Sequence, residues 1–316
     1  MESAFISIVS QNYRAKNGMK SLTVFTPTYN RAHTLPRTYE SLCNQTCKDF
    51  EWLVIDDGST DTTRALVEKW IKEAVIPIRY IYKENGGLYT GYNIAYANID
   101  SELNVCIDSD DYMPDDAVKL ILDLWKRKGS DKYCGIIGLD FSVVDKKPIG
   151  GYFPESLNEV FYLELYVKSI HHGDKKSVLR TDLVKKVAPQ IGFPGEKNFN
   201  PVYMQLQLDD DYPMLVLNKN LCWVEYQYQE GGDSMSKAIF KQYMDSPRSF
   251  AKLRLLEMTL KHSNLKNNFR LAIHYVSSCI ISKDQNWLRN SPHKLLVLLA
   301  VPFGLLWYLV IRYHNK

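Results

Sequence analysis

Val105-Cys106-Ile107-Asp108-Ser109-Asp110-Asp111 is an apolar stretch that runs straight into three carboxylates. Read as a buried strand, it ends in a turn where the i, i+2 pair Asp108 and Asp110 can converge on one point. That convergence is costly in repulsion unless something positive sits there, and a hard divalent cation, Mn²⁺ or Mg²⁺, is the usual answer. Such a cation keeps coordination positions open for phosphate oxygens. An acidic turn by itself is often only a solvated loop, so its neighbours carry the reading.

Upstream, the same pattern repeats. Leu22 to Thr26 reads as a buried strand closed by Pro27, Glu51 to Ile55 as a second, and Ile78 to Tyr82 as a third, with Asn104 to Asp108 as the fourth. Helices are predicted between them, from Leu35 to Gln45, after Asp61 or Thr60, from Gly86-Gly87 to Ala97, and over Ala117 to Arg127. Uninterrupted apolar strands alternating with helices predict an α/β fold, a mostly parallel sheet covered on both faces. Ligands of such sheets gather beyond the carboxyl ends of the strands. Polar clusters sit at all four ends: Thr26 to Arg31, Asp56 to Ser59, Lys83 to Gly87, and Asp108 to Asp111.

The 316 residues, 45% apolar and 24% charged, suffice for one large α/β domain with an appendage. Six scattered cysteines lack zinc spacing and read as reduced thiols, which suits a cytosolic compartment. A formal net charge of +3 hides an asymmetry. Residues 237 to 316 hold 13 Lys or Arg and 3 Asp or Glu, whereas the preceding 236 residues hold 26 and 33. The basic tail predicts an anionic partner surface, a membrane rather than nucleic acid.

The strings Thr26-Pro27-Thr28-Tyr29-Asn30-Arg31, Val54-Ile55-Asp56-Asp57-Gly58-Ser59-Thr60-Asp61, Asn85-Gly86-Gly87 and Asp108-Ser109-Asp110-Asp111 resemble the inverting nucleotide-sugar glycosyltransferases of family 2, in order and spacing. Gly195-Glu196-Lys197, Tyr212 to Asn218 and Val224 to Gln227 look like a bacterial subgroup associated with surface polysaccharides. The resemblance implies the GT-A (Rossmann-like) fold and a UDP-sugar donor. It implies that Pro27, Thr28 and Tyr29 cradle uracil and ribose, with Arg31 in the same nucleotide-binding set. Asp57 would accept from the uracil imide, and Lys83, Asn85, Gly86 and Gly87 would lie near the nucleotide. Asp108 would approach the ribose, and Asp110 would ligate the metal. Asp56 reads equally as a turn cap. Asp111 reads as a turn residue, and Asp115 and Asp116 as helix-capping acids.

Inverting transfer also needs a carboxylate to take the proton of the acceptor hydroxyl. Glu196 is the candidate base by resemblance, although Asn200-Pro201-Val202 stands where many members carry an acidic pair. The rival is Asp209-Asp210-Asp211, otherwise a solvated helix end. His171 and His172 point apart on a strand and would not share a metal. Phe161, Tyr162 and Tyr166 could stack on sugars or pack the core.

The chain divides by sequence into an extension (1–20), a catalytic domain (21–235), a basic helical region (236–292) and a hydrophobic membrane-associating segment (293–316). Residues 1 to 18 show no strong pattern and read as dispensable, so that a chain begun at Met19 should still bind nucleotide. Leu295 to Ile311 is free of charge and would extend about 25 Å as a helix, short of a bilayer's ~30 Å core. Pro302 and Gly304 interrupt it, so a half-embedded anchor is preferred to a span or a buried helix. The expected function is metal-dependent transfer from a UDP-sugar to a glycan or lipid-linked acceptor, at the cytoplasmic face of a bacterial membrane. The competitors are a sugar nucleotidyltransferase, which would want a glycine- and lysine-rich loop after the first strand, and a non-catalytic glycan-binding scaffold. A dinucleotide oxidoreductase is disfavoured, because no GxGxxG follows that strand.

Overall fold

Successive strand residues point to opposite faces of a sheet, and here both faces are apolar. Val24, Val54, Val105 and Ile136 pack into one core, while Phe25, Leu53, Ile55 and Ile137 pack into another. A computed structural model describes residues 7–10, 20–225 and 238–315. Its strands are β1 Ser7–Ser10, β2 Leu22–Thr28, β3 Phe50–Asp56, β4 Ile78–Tyr82, β5 Leu103–Cys106, β6 Gly135–Ser142, β7 Glu159–Val160, β8 Lys175–Arg180 and β9 Met214–Val224. They form one sheet in the order β1-β4-β3-β2-β5-β8-β6-β9-β7.

The four expected strands make a parallel block, β4-β3-β2-β5. Helices α1 (Leu35–Cys43), α2 (Thr63–Glu73) and α4 (Ala117–Lys128) cover one face; α3 (Leu88–Asn98) covers the other. Beyond β5 the sheet is mixed: β8 is antiparallel to both β5 and β6, β9 is parallel to β6, and β7 is an antiparallel edge. The α/β class is therefore as expected, with the parallel run confined to the half that carries the polar strand ends.

Two local readings differ. The sequence reads as two short strands here, Met214 to Leu217 and Leu221 to Tyr226, yet β9 runs unbroken over Met214–Val224. The register against β6 shifts there, and Asn218 exchanges hydrogen bonds with Phe153 N (3.1 Å) and O (3.0 Å). The bulge absorbs the polar residues without ending the strand. Ser7–Ser10 also pairs antiparallel with β4, so part of the stretch read as an extension covers a sheet edge. Tyr226 and Gln227 of the Val224 to Gln227 string lie outside the described residues, as do Met1 to Phe5 and Met19.

Short helices α5 (Tyr162–Val167), α6 (Thr181–Val187) and α7 (Val202–Leu206) complete the sheet domain. The basic tail then builds a helical layer: α8 (Ile239–Asp245), α9 (Pro247–Thr259), α10 (Leu265–Ser282), α11 (Trp287–Asn290) and α12 (Lys294–His314). Met258, Leu271, Tyr275, Val276, Val297 and Ala300 form its core. Leu253 and Leu260 of this layer pack with Leu163, Phe199 and Leu206 of the sheet domain. All six cysteines are free thiols.

Helix α12 contains Pro302 yet continues to His314. Gly304 lies so close to α10 that an added Cβ would stand 2.5 Å from Val276 Cγ1 and 3.1 Å from Ile273 O. Helix propensity alone makes Gly304→Ala stabilising by about 1 kcal/mol. Overpacking against the branched Val276 costs about 1–3 kcal/mol. Gly304→Ala should therefore lower the melting temperature, as thermal unfolding followed by circular dichroism will show.

Candidate active site

Because β4, β3, β2 and β5 are parallel neighbours, their carboxyl ends form one rim. At a strand spacing of about 4.8 Å the rim is about 14 Å across. Its first two loops are stitched together. Asn30, at φ 53°, accepts from Thr60 N (2.7 Å) and Asp61 N (3.3 Å), while its own N–H reaches Ser59 Oγ (2.9 Å). Asp61 accepts from Ala32 N (3.0 Å) and, at the start of α2, from Thr63 N (3.0 Å). Pro27 and Thr28 are buried, Arg31 is half-buried, and Tyr29 is 48% exposed. Asp56 is fully buried, with Tyr80 OH at 2.6 Å and Ser59 N at 2.7 Å. Of its two readings, the turn cap fits that geometry.

Asp57 is the hub of the rim. One carboxylate oxygen accepts from the Lys83 ammonium and from Gly86 N (2.9 Å). The other accepts from Gly87 N (2.9 Å) and Asn85 Nδ2 (3.2 Å), and Asn85 Nδ2 also reaches Asp57 O at 2.9 Å. A carboxylate has about four lone-pair positions, and all four are used. Gly87 makes this possible: at φ +90° it brings the loop so near Lys197 that a Cβ would stand 2.3 Å from Lys197 O. Lys197 Nζ in turn donates to Asn85 Oδ1 at 2.7 Å. Asp57, Lys83, Asn85, Gly86 and Gly87 are thus one cluster. In this arrangement Asp57 meets a nucleobase imide only by releasing a donor.

At the other end of the rim Asp108 is exposed, Asp110 half-buried and Asp111 buried. Helix α1 braces the backbone of this turn. Arg37 donates to Asp110 O, Thr38 Oγ1 to Asp111 O (2.8 Å), and Gln45 Nε2 to Pro114 O (2.8 Å), while Ser41 Oγ accepts from Met113 N (3.2 Å). Behind it the buried Lys176 stands 3.8 Å from both Asp111 and Asp140. One lysine cannot neutralise two acids away from water. Burial pushes Asp111 up to about 8 and Asp140 up to about 6, and Asp140 holds Lys176 charged against its own burial.

Among the described residues neither Asp108 nor Asp110 pairs with a protein cation, and no third His, Cys, Asp or Glu joins them at metal-binding distance. Two oxygen ligands still fit Mg²⁺ or Mn²⁺. Such ions are commonly held by one or two carboxylates, with phosphate oxygens and water filling the shell.

The family model for glycosyl transferase family 2 matches residues 23–187, which run from β2 through α6 and include the whole rim. The chain belongs to glycosyltransferase family 2. The hyaluronan synthase of Pasteurella multocida is 34% identical over 106 residues, 34% of this chain and 11% of that one. The matches to this synthase and to two chondroitin synthases span 10% to 18% of those relatives' lengths. Among solved structures, Staphylococcus aureus TarS 1–349 in complex with UDP-GlcNAc superposes with a TM-score of 0.56 at 17% identity, covering 94% of this chain and 91% of that one. A Pyrobaculum calidifontis mannosyltransferase in complex with GDP-Man and Mn²⁺ gives 0.51 at 14% identity, covering 90% and 87%. At such identities the likeness is one of fold, and that fold is GT-A.

Elsewhere in this family 2 chain the geometry speaks against the expected base. Glu196 is buried, and one of its oxygens accepts from Arg248 N (3.1 Å) and Nε (2.9 Å). The other accepts from Ser249 N (2.8 Å) and Oγ (2.7 Å). All four acceptor positions are engaged at the first turn of α9, which makes Glu196 a clamp on the Gly192 to Lys197 loop. The rival Asp209 is buried at the start of α5, taking Tyr162 N and Leu163 N (2.9 Å), and burial lifts it to about 6. Asp210 accepts from Lys261 N (2.8 Å), and Asp211 lies 3.5 Å from Lys261 Nζ. His171 is buried against Phe153 and Gly151 O while His172 is exposed; the two diverge, but in the loop before β8 and not on a strand as expected. Phe161 stacks on His262 at 3.9 Å and Tyr162 OH meets Tyr166 OH at 3.2 Å, which is internal packing.

Two groups of site residues escaped the reading of the sequence. Arg37 and Ser41 stand four residues apart on α1 and Gln45 follows four further on, just past its end, a polar stripe at helical spacing on the side that meets the acidic turn. Lys176 shares a strand face with Val178, so period-two alternation already points it inward. Asp57→Asn would keep one acceptor oxygen where four donors converge and strip the buried Lys83 of its counter-charge. Breaking such a pair costs about 3–5 kcal/mol, so urea denaturation should show that loss in Asp57→Asn.

Proposed function

We propose that this chain is a metal-dependent, inverting glycosyltransferase. It moves a sugar from a UDP-sugar to a hydroxyl of a glycan or lipid-linked acceptor in cell-surface polysaccharide synthesis, at the cytoplasmic face of a bacterial membrane. One observation carries the reading: four adjacent parallel strand ends bring the Asp57 loop cluster and the open Asp108/Asp110 pair onto one rim. The UDP-GlcNAc held by the TarS structure and the GDP-Man and Mn²⁺ held by the archaeal one support a nucleotide-sugar and a cation for this fold.

In this reading Pro27, Thr28, Tyr29 and Arg31 receive the nucleoside. The uracil imide competes for Asp57 with Asn85 Nδ2, the longest of its four bonds at 3.2 Å. Gly86 and Gly87 keep their N–H groups on Asp57 and, lacking side chains, let the nucleotide come close to the loop. Asp110, with Asp108 beside it, would hold Mn²⁺ or Mg²⁺, which would supply positive charge against the leaving diphosphate. Arg37, Thr38 and the buried Lys176 keep the acidic turn in place. Asp108 remains within reach of the ribose.

The acceptor hydroxyl gives up its proton as it attacks the anomeric carbon opposite the departing UDP. A base needs an open lone pair. Glu196 has none in this arrangement, so it acts as a positioning residue that fixes the Gly192 to Lys197 loop beside the donor.

A nucleotide-sugar screen for donor hydrolysis with added Mn²⁺ and a chelator control tests the reading. A UDP-sugar should be broken down and the chelator should stop it. Asp110→Asn should lose about 100-fold or more of that turnover. A sugar nucleotidyltransferase would instead form the nucleotide-sugar from a sugar phosphate, and a binding scaffold would hydrolyse nothing. Glu196→Gln separates clamp from base: the clamp predicts a raised donor KM with kcat changed less than about tenfold, whereas loss of a base removes about 10²–10⁴ from kcat.

A further inference from the structure

Helix α12 has two unlike faces. Val297, Ala300, Gly304 and Ile311 are buried, a stripe at alternating spacings that continues through Trp307 and His314. Phe303 meets Phe269 edge to face at 5.7 Å, Trp307 meets His274 at 5.3 Å, and His314 stacks on Phe240 at 4.5 Å. The inner stripe, with the half-exposed Phe303 and the exposed His314 at its margins, thus packs on α8 and α10. The outer face is apolar and open, with Leu295 72%, Leu299 60%, Leu306 60%, Leu309 50% and Tyr313 74% exposed. Nine of the 17 large hydrophobic side chains exposed among the described residues belong to this one helix.

We propose that the outer face of α12 is a membrane-docking surface that lies along an anionic lipid bilayer and does not cross it. By length and composition the helix could span a bilayer. Its packing argues otherwise. To span, α12 must either peel away from α10, exposing Leu271, Tyr275 and Val276, or draw α10 in with it. Helix α10 carries Lys266 and Arg270 in its first two turns and Asn267 and Asn268 beside them, groups that hydrocarbon disfavours. Lying flat needs neither. The stripe of about 30 Å sinks its outer side chains into the boundary between headgroups and acyl chains.

Charge selects the occupant. Lys283, Arg289, Lys294 and Arg312 are exposed around the patch, and residues 237 to 316 carry 13 basic and 3 acidic side chains. Apolar contact within a basic rim matches an anionic lipid surface. A second copy of this chain would set that excess of like charge against itself. The inference deepens the membrane location proposed above and rests on it. It also adds geometry: Glu196 joins the Gly192 to Lys197 loop to the first turn of α9, so a bilayer on α12 fixes the cleft's distance from the headgroups.

The test uses the full chain and its Leu299→Glu/Leu306→Glu double variant in flotation with phosphatidylcholine vesicles, with and without phosphatidylglycerol. The wild type should float with the anionic vesicles and weaken as salt rises. The double variant should bind at least about tenfold more weakly while keeping the same melting temperature and the same donor hydrolysis in vesicle-free buffer. Flotation of the variant equal to wild type would overturn the proposal. Labelling of Leu295→Cys and Tyr313→Cys from opposite sides of sealed vesicles would replace it with a span. A dimer in light scattering that the variant abolishes, without vesicle binding by either protein, would replace it with self-association. Donor hydrolysis without lipid tests the enzymatic reading separately, so either can fail alone.

Discussion

One carboxylate, Asp57, organises one end of the strand rim in this protein. It stands at the end of a buried central strand and accepts from an ammonium, a side-chain amide and two successive backbone N–H groups, all from the loop after β4. Charge-assisted bonds of this kind are the strong ones, and four on one group give the Gly86-Gly87 turn its shape. Without that acid the loop would have a buried lysine stripped of its counter-charge and two N–H groups that lose their acceptor. The pull on Asn85 reaches Lys197, whose main chain presses on Gly87. The cluster is preformed and fully occupied, so any ligand that takes a bond from Asp57 must exchange with one of these partners.

The acidic end of the rim obeys the opposite logic. Asp108 is exposed and Asp110 half-buried, neither paired with a cation among the described residues, while the helix at its back supplies donors to the turn's carbonyls instead of its carboxylates. The positive charge nearby, Lys176, is spent inward on Asp111 and Asp140. Backbone support with unpaired carboxylates is what a cation site at a diphosphate requires, because an ion pair at Asp110 would compete with the cation. The two ends of the rim thus differ by construction, one saturated and one available.

Glu196 and α12 show how the helical layer enters the function. Glu196 is a buried carboxylate, yet its donors are the first N–H groups of α9 and their side chains, an arrangement that fastens a helix start. Through it the Gly192 to Lys197 loop is fastened to a layer whose far side is the exposed apolar face of α12.

How much was legible beforehand depended on the range of the interaction. Buried strands of uninterrupted apolar residues, turn residues at their ends and helical spacing between them are local signals, so the parallel block, its four polar ends and the family could be read from the chain alone. The role of each acid could not. Asp57 meets donors 26 to 30 residues away, Glu196 meets α9 more than 50 residues on, and Lys176 reaches an acid 65 positions earlier. Composition likewise marked Leu295 to Ile311 as membrane-seeking, but which side of that helix is free was settled by Gly304 and its neighbours against α10. A carboxylate's chemistry follows from how many of its lone pairs are already taken, and that count exists only once distant segments have come together.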